Sequence, residues 1–181
     1  MKVIDTGLDG CLHIQPNVFK DERGFFLEVF HEKKYAEIGI LDKFVQDNRS
    51  RSIRNVLRGL HFQMCKPQGK LVSVTAGEVF DVALDLRPTS TTFGKHYSVI
   101  LSSDTHNQLY IPPGFAHGFC VLSETADFQY KCTSFYDPND ESGIIWDDIE
   151  LNISWPIDKP IISAKDQKLL SFAEFKSRVL A

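Results

Sequence analysis

Apolar residues in this chain recur mostly at every second position, in short runs. Between Glu78 and Leu86, Phe80, Val82, Leu84 and Leu86 alternate with Val79, Asp81, Ala83 and Asp85, which predicts a strand. Leu71–Ala76 repeats the pattern, and Gly77 marks a turn between the two. The same reading places strands at Phe25–Phe30, Val56–Gln63, His96–Leu101, Gln108–Ile111, Gly118–Leu122 and Phe128–Phe135. Turn chemistry separates them at Arg87-Pro88-Thr89-Ser90, Ser102-Ser103-Asp104, Pro112-Pro113-Gly114 and Asp137-Pro138-Asn139-Asp140. Helical signals fall at Glu32–Gly39, which ends on a glycine, and at Ala164–Leu180. The second carries an apolar stripe of Leu169, Leu170, Phe172, Phe175 and Val179, with Ser163 as its expected N-cap three residues before Asp166. Many short strands with regular turns predict an all-β fold, a jelly-roll barrel or sandwich with short flanking helices, in one domain spanning 1–181.

Composition narrows the function. The chain is 43% apolar with 14 Phe, enough for a packed, strand-rich core. A formal charge of −4 argues against nonspecific nucleic-acid or membrane-surface binding as the main role. No run approaches the roughly 18–20 apolar residues of a membrane span, and Met1–Thr6 lacks a signal-peptide apolar region, so a cytoplasmic protein is expected. Cys11, Cys65, Cys120 and Cys132 form no C-x-x-C pair and are expected to be free thiols, without a structural zinc site.

Candidate chemistry centres on Arg58-Gly59-Leu60-His61-Phe62-Gln63, where a histidine interrupts an otherwise apolar strand. A partner is available far along the chain in Ser163-Ala164-Lys165-Asp166. A histidine held by a remote carboxylate is a general-base arrangement. Spacing alone also fits a satisfied core histidine and an aspartate that favours a helix dipole. Lys70 shares a strand face with Val72 and Val74, where an ammonium could meet an oxyanion or simply snorkel from a strand end. Tyr130 shares a face with Phe128 and Cys132 and could carry a proton or serve only the core. Arg23 and Arg58 could clamp a phosphate or carboxylate, Gln46-Asp47-Asn48 is a dense polar triplet, and Tyr136 could present a flat face to a nucleobase. Strict alternation sets Arg58 and His61 on opposite faces, so a shared site requires a bulge at Gly59, or Arg58 ahead of the regular strand. Pro112-x-Gly114-x-x-His117 resembles the second motif of the cupin superfamily and implies a His117 at the barrel mouth. Metal-binding cupins also carry His-x-His, but His61 is followed by Phe62 and Gln63, so no metal is expected.

Nine blocks in order resemble the RmlC family, the dTDP-4-dehydrorhamnose 3,5-epimerases, over nearly the whole chain. They are Asp21-Glu22-Arg23-Gly24-Phe25-Phe26-x-Glu28, Val45-Gln46-Asp47-Asn48, Leu57–Gln63, Gln68-Gly69-Lys70-Leu71-Val72, Gly77–Val82, Thr92-Phe93-Gly94, Pro113–Phe119, Tyr130-Lys131 and Ser163–Asp166. The resemblance implies a cofactor-independent, metal-free homodimer acting on dTDP-4-keto-6-deoxyglucose in dTDP-rhamnose synthesis, with no nucleic-acid or membrane partner. It implies His61 as base oriented by Asp166, Tyr130 as acid on the opposite face, and Lys70 beside the enolate oxygen. It further implies substrate contacts at Arg23, Phe26, Glu28, Gln46, Asp47, Asn48, Arg58, His117, Tyr136, Glu141 and Lys165, with Arg23 and Glu28 reaching a neighbouring subunit's site and Tyr136 stacking on thymine. Asp148-Ile149-Glu150, Met64-Cys65-Lys66-Pro67 and Lys95-His96-Tyr97 depart from the family pattern. A C3-only or C5-only epimerase, a 3,4-ketoisomerase, a metal-dependent cupin and a non-catalytic sugar-nucleotide binder remain alternatives at this point.

Overall fold

The computed structural model describes residues 1–180, and within them the strands assemble into two facing antiparallel sheets and one separate hairpin. The six-stranded sheet runs β1 (Lys2–Asp5), β2 (Leu12–Gln15), β10 (Gln108–Ile111), β7 (Lys70–Ala76), β12 (Thr125–Cys132) and β5 (Gln46–Ile53). The five-stranded sheet runs β13 (Glu141–Gly143), β6 (Leu57–Gln63), β11 (Phe115–Val121), β8 (Glu78–Asp85) and β9 (His96–Ser102). The hairpin pairs β3 (Val18–Asp21) with β4 (Gly24–Leu27). This is the expected jelly-roll sandwich.

Alternation explains why three apolar layers form. Inward residues of both sheets, among them Val72, Val74, Val79, Ala83, Phe115, Phe119 and Phe128, make the central core. Burying each large side chain contributes about 1.5–3 kcal/mol. Outward residues of the five-stranded sheet (Leu60, Phe62, Val82, Leu84, Ala116) are covered by helix α2 (Phe172–Val179) through Phe172 and Phe175. Outward Ile14, Leu71 and Tyr110 of the six-stranded sheet are covered by Tyr35 of helix α1 (Glu32–Glu37) and by Ile40.

Several elements differ from the sequence expectation. The helix expected over Ala164–Leu180 breaks in two. Ser163 Oγ accepts from Asp166 N–H at 3.0 Å but caps only a short 3₁₀ turn, Asp166–Lys168. Leu169 is extended, and Leu170 forms a bridge with Ile144. Helix α2 then restarts at Ser171, whose hydroxyl accepts from Glu174 N–H while the Glu174 carboxylate accepts from Ser171 N–H. That Ser-x-x-Glu capping box was present in the sequence and marks the true start. The strand expected over Phe25–Phe30 ends at Leu27, and that over Phe128–Phe135 is shifted to Thr125–Cys132. Strands β1, β2, β3, β5 and β13 had no alternation strong enough to announce them.

Candidate active site

The cavity opens between the sheets and has a volume of about 480 Å³. The five-stranded sheet supplies Arg58, His61, His117 and Glu141 to its wall, and the six-stranded sheet supplies Ser50, Lys70, Phe128 and Tyr130. The stacked rings of Phe119 and Phe128, 4.1 Å apart, join the sheets beneath it.

The bulge resolves the conflict between Arg58 and His61. His61 pairs with His117 and Arg58 with Phe119, so three steps on β6 oppose two on β11. The extra residue restores both side chains to the inner face. Gly59 has φ +117°, and a Cβ there would lie 2.6 Å from both Gly118 Cα and the His117 carbonyl oxygen. Only glycine meets both conditions. The Gly59–Leu60 peptide is cis. Arg58 Nε donates to the buried Ser52 Oγ at 3.1 Å.

Asp166 reaches His61 because the chain before it is pinned to the start of β6. Leu57 N–H donates to the Ile161 carbonyl at 3.0 Å, and Ile161 N–H donates to the Asn55 carbonyl at 2.8 Å. The Asp166 carboxylate is 4% exposed and lies 2.8 Å from His61 Nε2. Burial alone would raise the Asp166 carboxyl, but hydrogen bonds from His61, Gly59 and Ser163 hold it below its ordinary value. An ionised partner at Nε2 fixes the proton there and leaves Nδ1 of the neutral ring as the basic atom.

Lys70 stands at the same cavity with its ammonium 5.9 Å from the Tyr130 ring centroid. Among the described residues it forms no salt bridge. Burial pulls its pKa down, and the charges of Cys132, Asp81 and Glu141 oppose that pull. Burial also raises the Tyr130 phenol above its ordinary value of 10, which keeps the proton on it at neutral pH.

His117, expected at the barrel mouth, lies deeper. It is 6% exposed, its Nε2 is 2.9 Å from Asp81 Oδ2, and its ring stacks on Phe128 at 5.7 Å. Each histidine of the cavity therefore already engages a carboxylate. Among the described residues no three His, Cys, Asp or Glu side chains converge as a metal-binding group.

At the rim, Glu141 Oε2 accepts from the Tyr136 hydroxyl at 2.5 Å and from the Lys165 ammonium. Burial would raise the Glu141 carboxyl, yet these two donors bring it below its ordinary value. Gln46 and Asn48 point inward from β5, and Gln46 Oε1 accepts from Tyr136 N–H at 2.9 Å. Asp47 points outward and pairs with Lys131, so it makes no contact with this cavity. Arg23, Phe26 and Glu28 also lie off it. Arg23 pairs with Asp21, Glu28 with Lys34, and Phe26 is 66% exposed. Sequence reasoning missed Ser50, Ser52, Phe119 and the Ile161–Ile162 wall. The alternation of Gln46, Asn48, Ser50 and Ser52 with Asp47, Arg49, Arg51 and Ile53 was a readable period of two, disguised by polarity on both faces.

The departing loops keep their geometry by local means. Asp148 Oδ1 accepts from the N–H groups of Glu150 and Leu151, and its Oδ2 from Phe172 N–H. Asp140 accepts from the N–H groups of Cys65 and Lys66 and so holds the segment after His61.

Residues 5–174 match the family model of dTDP-4-dehydrorhamnose 3,5-epimerase. The 3,5-epimerase of Methanothermobacter thermautotrophicus is 52% identical over 169 residues, covering 92% of this chain and 91% of that protein. The Escherichia coli enzyme is 51% identical over 177 residues, covering 96% of each. A crystal structure of the Legionella pneumophila 3,5-epimerase, in complex with dTDP-4-keto-L-rhamnose, superposes with a TM-score of 0.91 at 51% identity and 96% coverage of both chains. Likeness of this extent, in sequence and in fold, shows that the chain belongs to the dTDP-4-dehydrorhamnose 3,5-epimerase family.

Proposed function

We propose that this protein inverts C3 and C5 of dTDP-4-dehydro-6-deoxy-D-glucose to give dTDP-4-dehydro-L-rhamnose, with His61 as base and Tyr130 as acid. One observation carries this assignment of roles. A histidine oriented by a buried carboxylate and a protonated phenol project from opposite sheets into one cavity, with a lysine between them that has no anionic partner.

The chemistry follows from those positions. C3 and C5 both lie α to the C4 ketone, so their protons are the acidic ones. His61 Nδ1 takes a proton from one ring face, and the electron pair passes to the C4 oxygen as an enolate. Lys70 stabilises that oxygen by about 3–4 kcal/mol, the scale of a single oxyanion donor. Return of a proton from Tyr130 to the other face inverts the centre. Arg58 and Lys165 line the same cavity and are suited to the diphosphate, whose binding energy holds the ring in register. Tyr136 stands at the rim, where it could swing from Glu141 to stack on the base.

We infer a homodimer from the β3–β4 hairpin. Phe19, Phe25 and Phe26 on it are each more than half exposed, an apolar surface that a second subunit would cover. Arg23, Phe26 and Glu28, off the cavity of their own chain, would then reach the neighbour's site.

Product analysis by NMR after incubation with dTDP-4-dehydro-6-deoxyglucose in D2O tests the reading. Deuterium at both C3 and C5 with the L-rhamno product is expected. Label at one centre alone would replace the reading with a mono-epimerase.

A further inference from the structure

Asp81 is used by none of the steps above, yet it sits fully buried on the inner face of β8 between Val79 and Ala83. Its Oδ2 meets His117 Nε2 at 2.9 Å, while its Oδ1 has no hydrogen-bond partner. A buried acceptor left unpaired destabilises a fold. An apolar side chain would fill that place between two apolar neighbours without the penalty. The carboxylate is therefore better explained by what it does to His117 than by packing.

We propose that Asp81 is a positioning residue: it accepts the Nε2 proton of His117 and thereby presents His117 Nδ1 to the cavity as a hydrogen-bond acceptor for a hydroxyl of the sugar. This rests on the sugar-nucleotide reading of the cavity. A neutral imidazole has one donor and one acceptor nitrogen, so committing Nε2–H to Asp81 leaves Nδ1 to accept. The ring is held from turning by its stack on Phe128, 20° from parallel. It lies directly across from His61 in the β6–β11 register, beside the reacting centre. Burial holds His117 below its ordinary pKa, and the opposing pull of Asp81 does not overcome it. The complementarity is chemical. Arg58, Lys70, Tyr130 and Lys165 all face the cavity as donors, and Glu141 is already engaged. A pyranose hydroxyl needs an acceptor, and His117 Nδ1 supplies one that does not compete with the base.

The test reads the ring nitrogens of ¹⁵N-histidine-labelled enzyme by NMR without substrate, with His117 assigned by the loss of its signals in His117→Gln. Protonated Nε2 and bare Nδ1 are expected at pH 7.5. Protonated Nδ1 would overturn the proposal. Asp81→Asn keeps a carbonyl acceptor and should retain that signature with KM within about threefold of wild type. Asp81→Leu should lose the signature and raise KM roughly fivefold to tenfold, the scale of one hydrogen bond, with deuterium uptake at saturating substrate preserved. Unchanged KM in Asp81→Leu, or equal losses in both variants, would refute the assignment. Because the nitrogen readout needs no substrate, its outcome is independent of whether the wild-type enzyme forms the expected product.

Discussion

Replacing Gly59 by alanine should damage both stability and catalysis, and the structure sets the scale. Two separate costs arise. Holding a non-glycine residue at φ +117° costs about 1–3 kcal/mol. Placing a Cβ 2.6 Å from two backbone atoms of β11 forces the strands apart, and overpacking of this kind costs about 1–3 kcal/mol. The sum, about 2–6 kcal/mol, is a large share of the roughly 5–15 kcal/mol that holds a domain together. Gly39 is a matched control, with φ +97° and nothing within 4 Å of its would-be Cβ. Gly39→Ala should show only the backbone cost. Urea denaturation of both variants isolates the packing contribution as the difference, expected to exceed about 1 kcal/mol. If Gly59→Ala folds, the shift of about an ångström between Arg58 and His61 should lower turnover by roughly 10². Equal stabilities for the two variants, together with wild-type turnover in Gly59→Ala, would show that the bulge does not place the two side chains.

Three further outcomes are expected. Lys70→Gln should lower kcat by roughly 10²–10³ with little change in dTDP affinity by calorimetry, since it removes charge stabilisation only from the enolate. Ser171→Ala should cost about 0.5–2 kcal/mol in thermal or urea unfolding, because it removes the capping box that starts α2. The third concerns pH. Asn107 Nδ2 must donate to His13 Nε2, since its Oδ1 is occupied by Ser102 N–H and Thr105, so His13 is held neutral, and burial lowers its pKa from 6.5. The unfolded chain then binds the proton more readily. Stability from this site is full above about pH 6.5 and falls as pH drops through the folded value, and His13→Gln should flatten the stability profile between pH 7 and 5.

How much was legible beforehand depended on which face of each strand meets solvent. The β7–β8 hairpin was readable because inward Val72, Val74 and Val79 and outward Val82 and Leu84 are apolar and bounded by Gly77. Strand β5 was not, because its inward Gln46, Asn48, Ser50 and Ser52 face the functional end of the sandwich while Arg49 and Arg51 pair outward with Asp127. A polar inner face is what a ligand cavity requires and what alternation of hydrophobicity cannot detect. The exposed aromatics of β3 and β4 hid those strands for the opposite reason, since Phe19 and Phe26 face away from this chain's core. The pairing of His61 with Asp166 was guessed from residue types, but its cause, a strand bridge through Ile161, is a long-range contact with no local signal. Asp47 shows the limit of carrying a role by motif. Its neighbours Gln46 and Asn48 turn inward while it turns out to Lys131.

Solvent exchange in single-residue variants tests the central claim most directly. With dTDP-4-dehydro-6-deoxyglucose in D2O, His61→Ala should take up no deuterium at C3 or C5 while still binding dTDP as wild type does. Tyr130→Phe should still exchange at one centre but fail to complete the double inversion. Wild-type exchange in His61→Ala would remove the base from the mechanism, and the assigned chemistry with it.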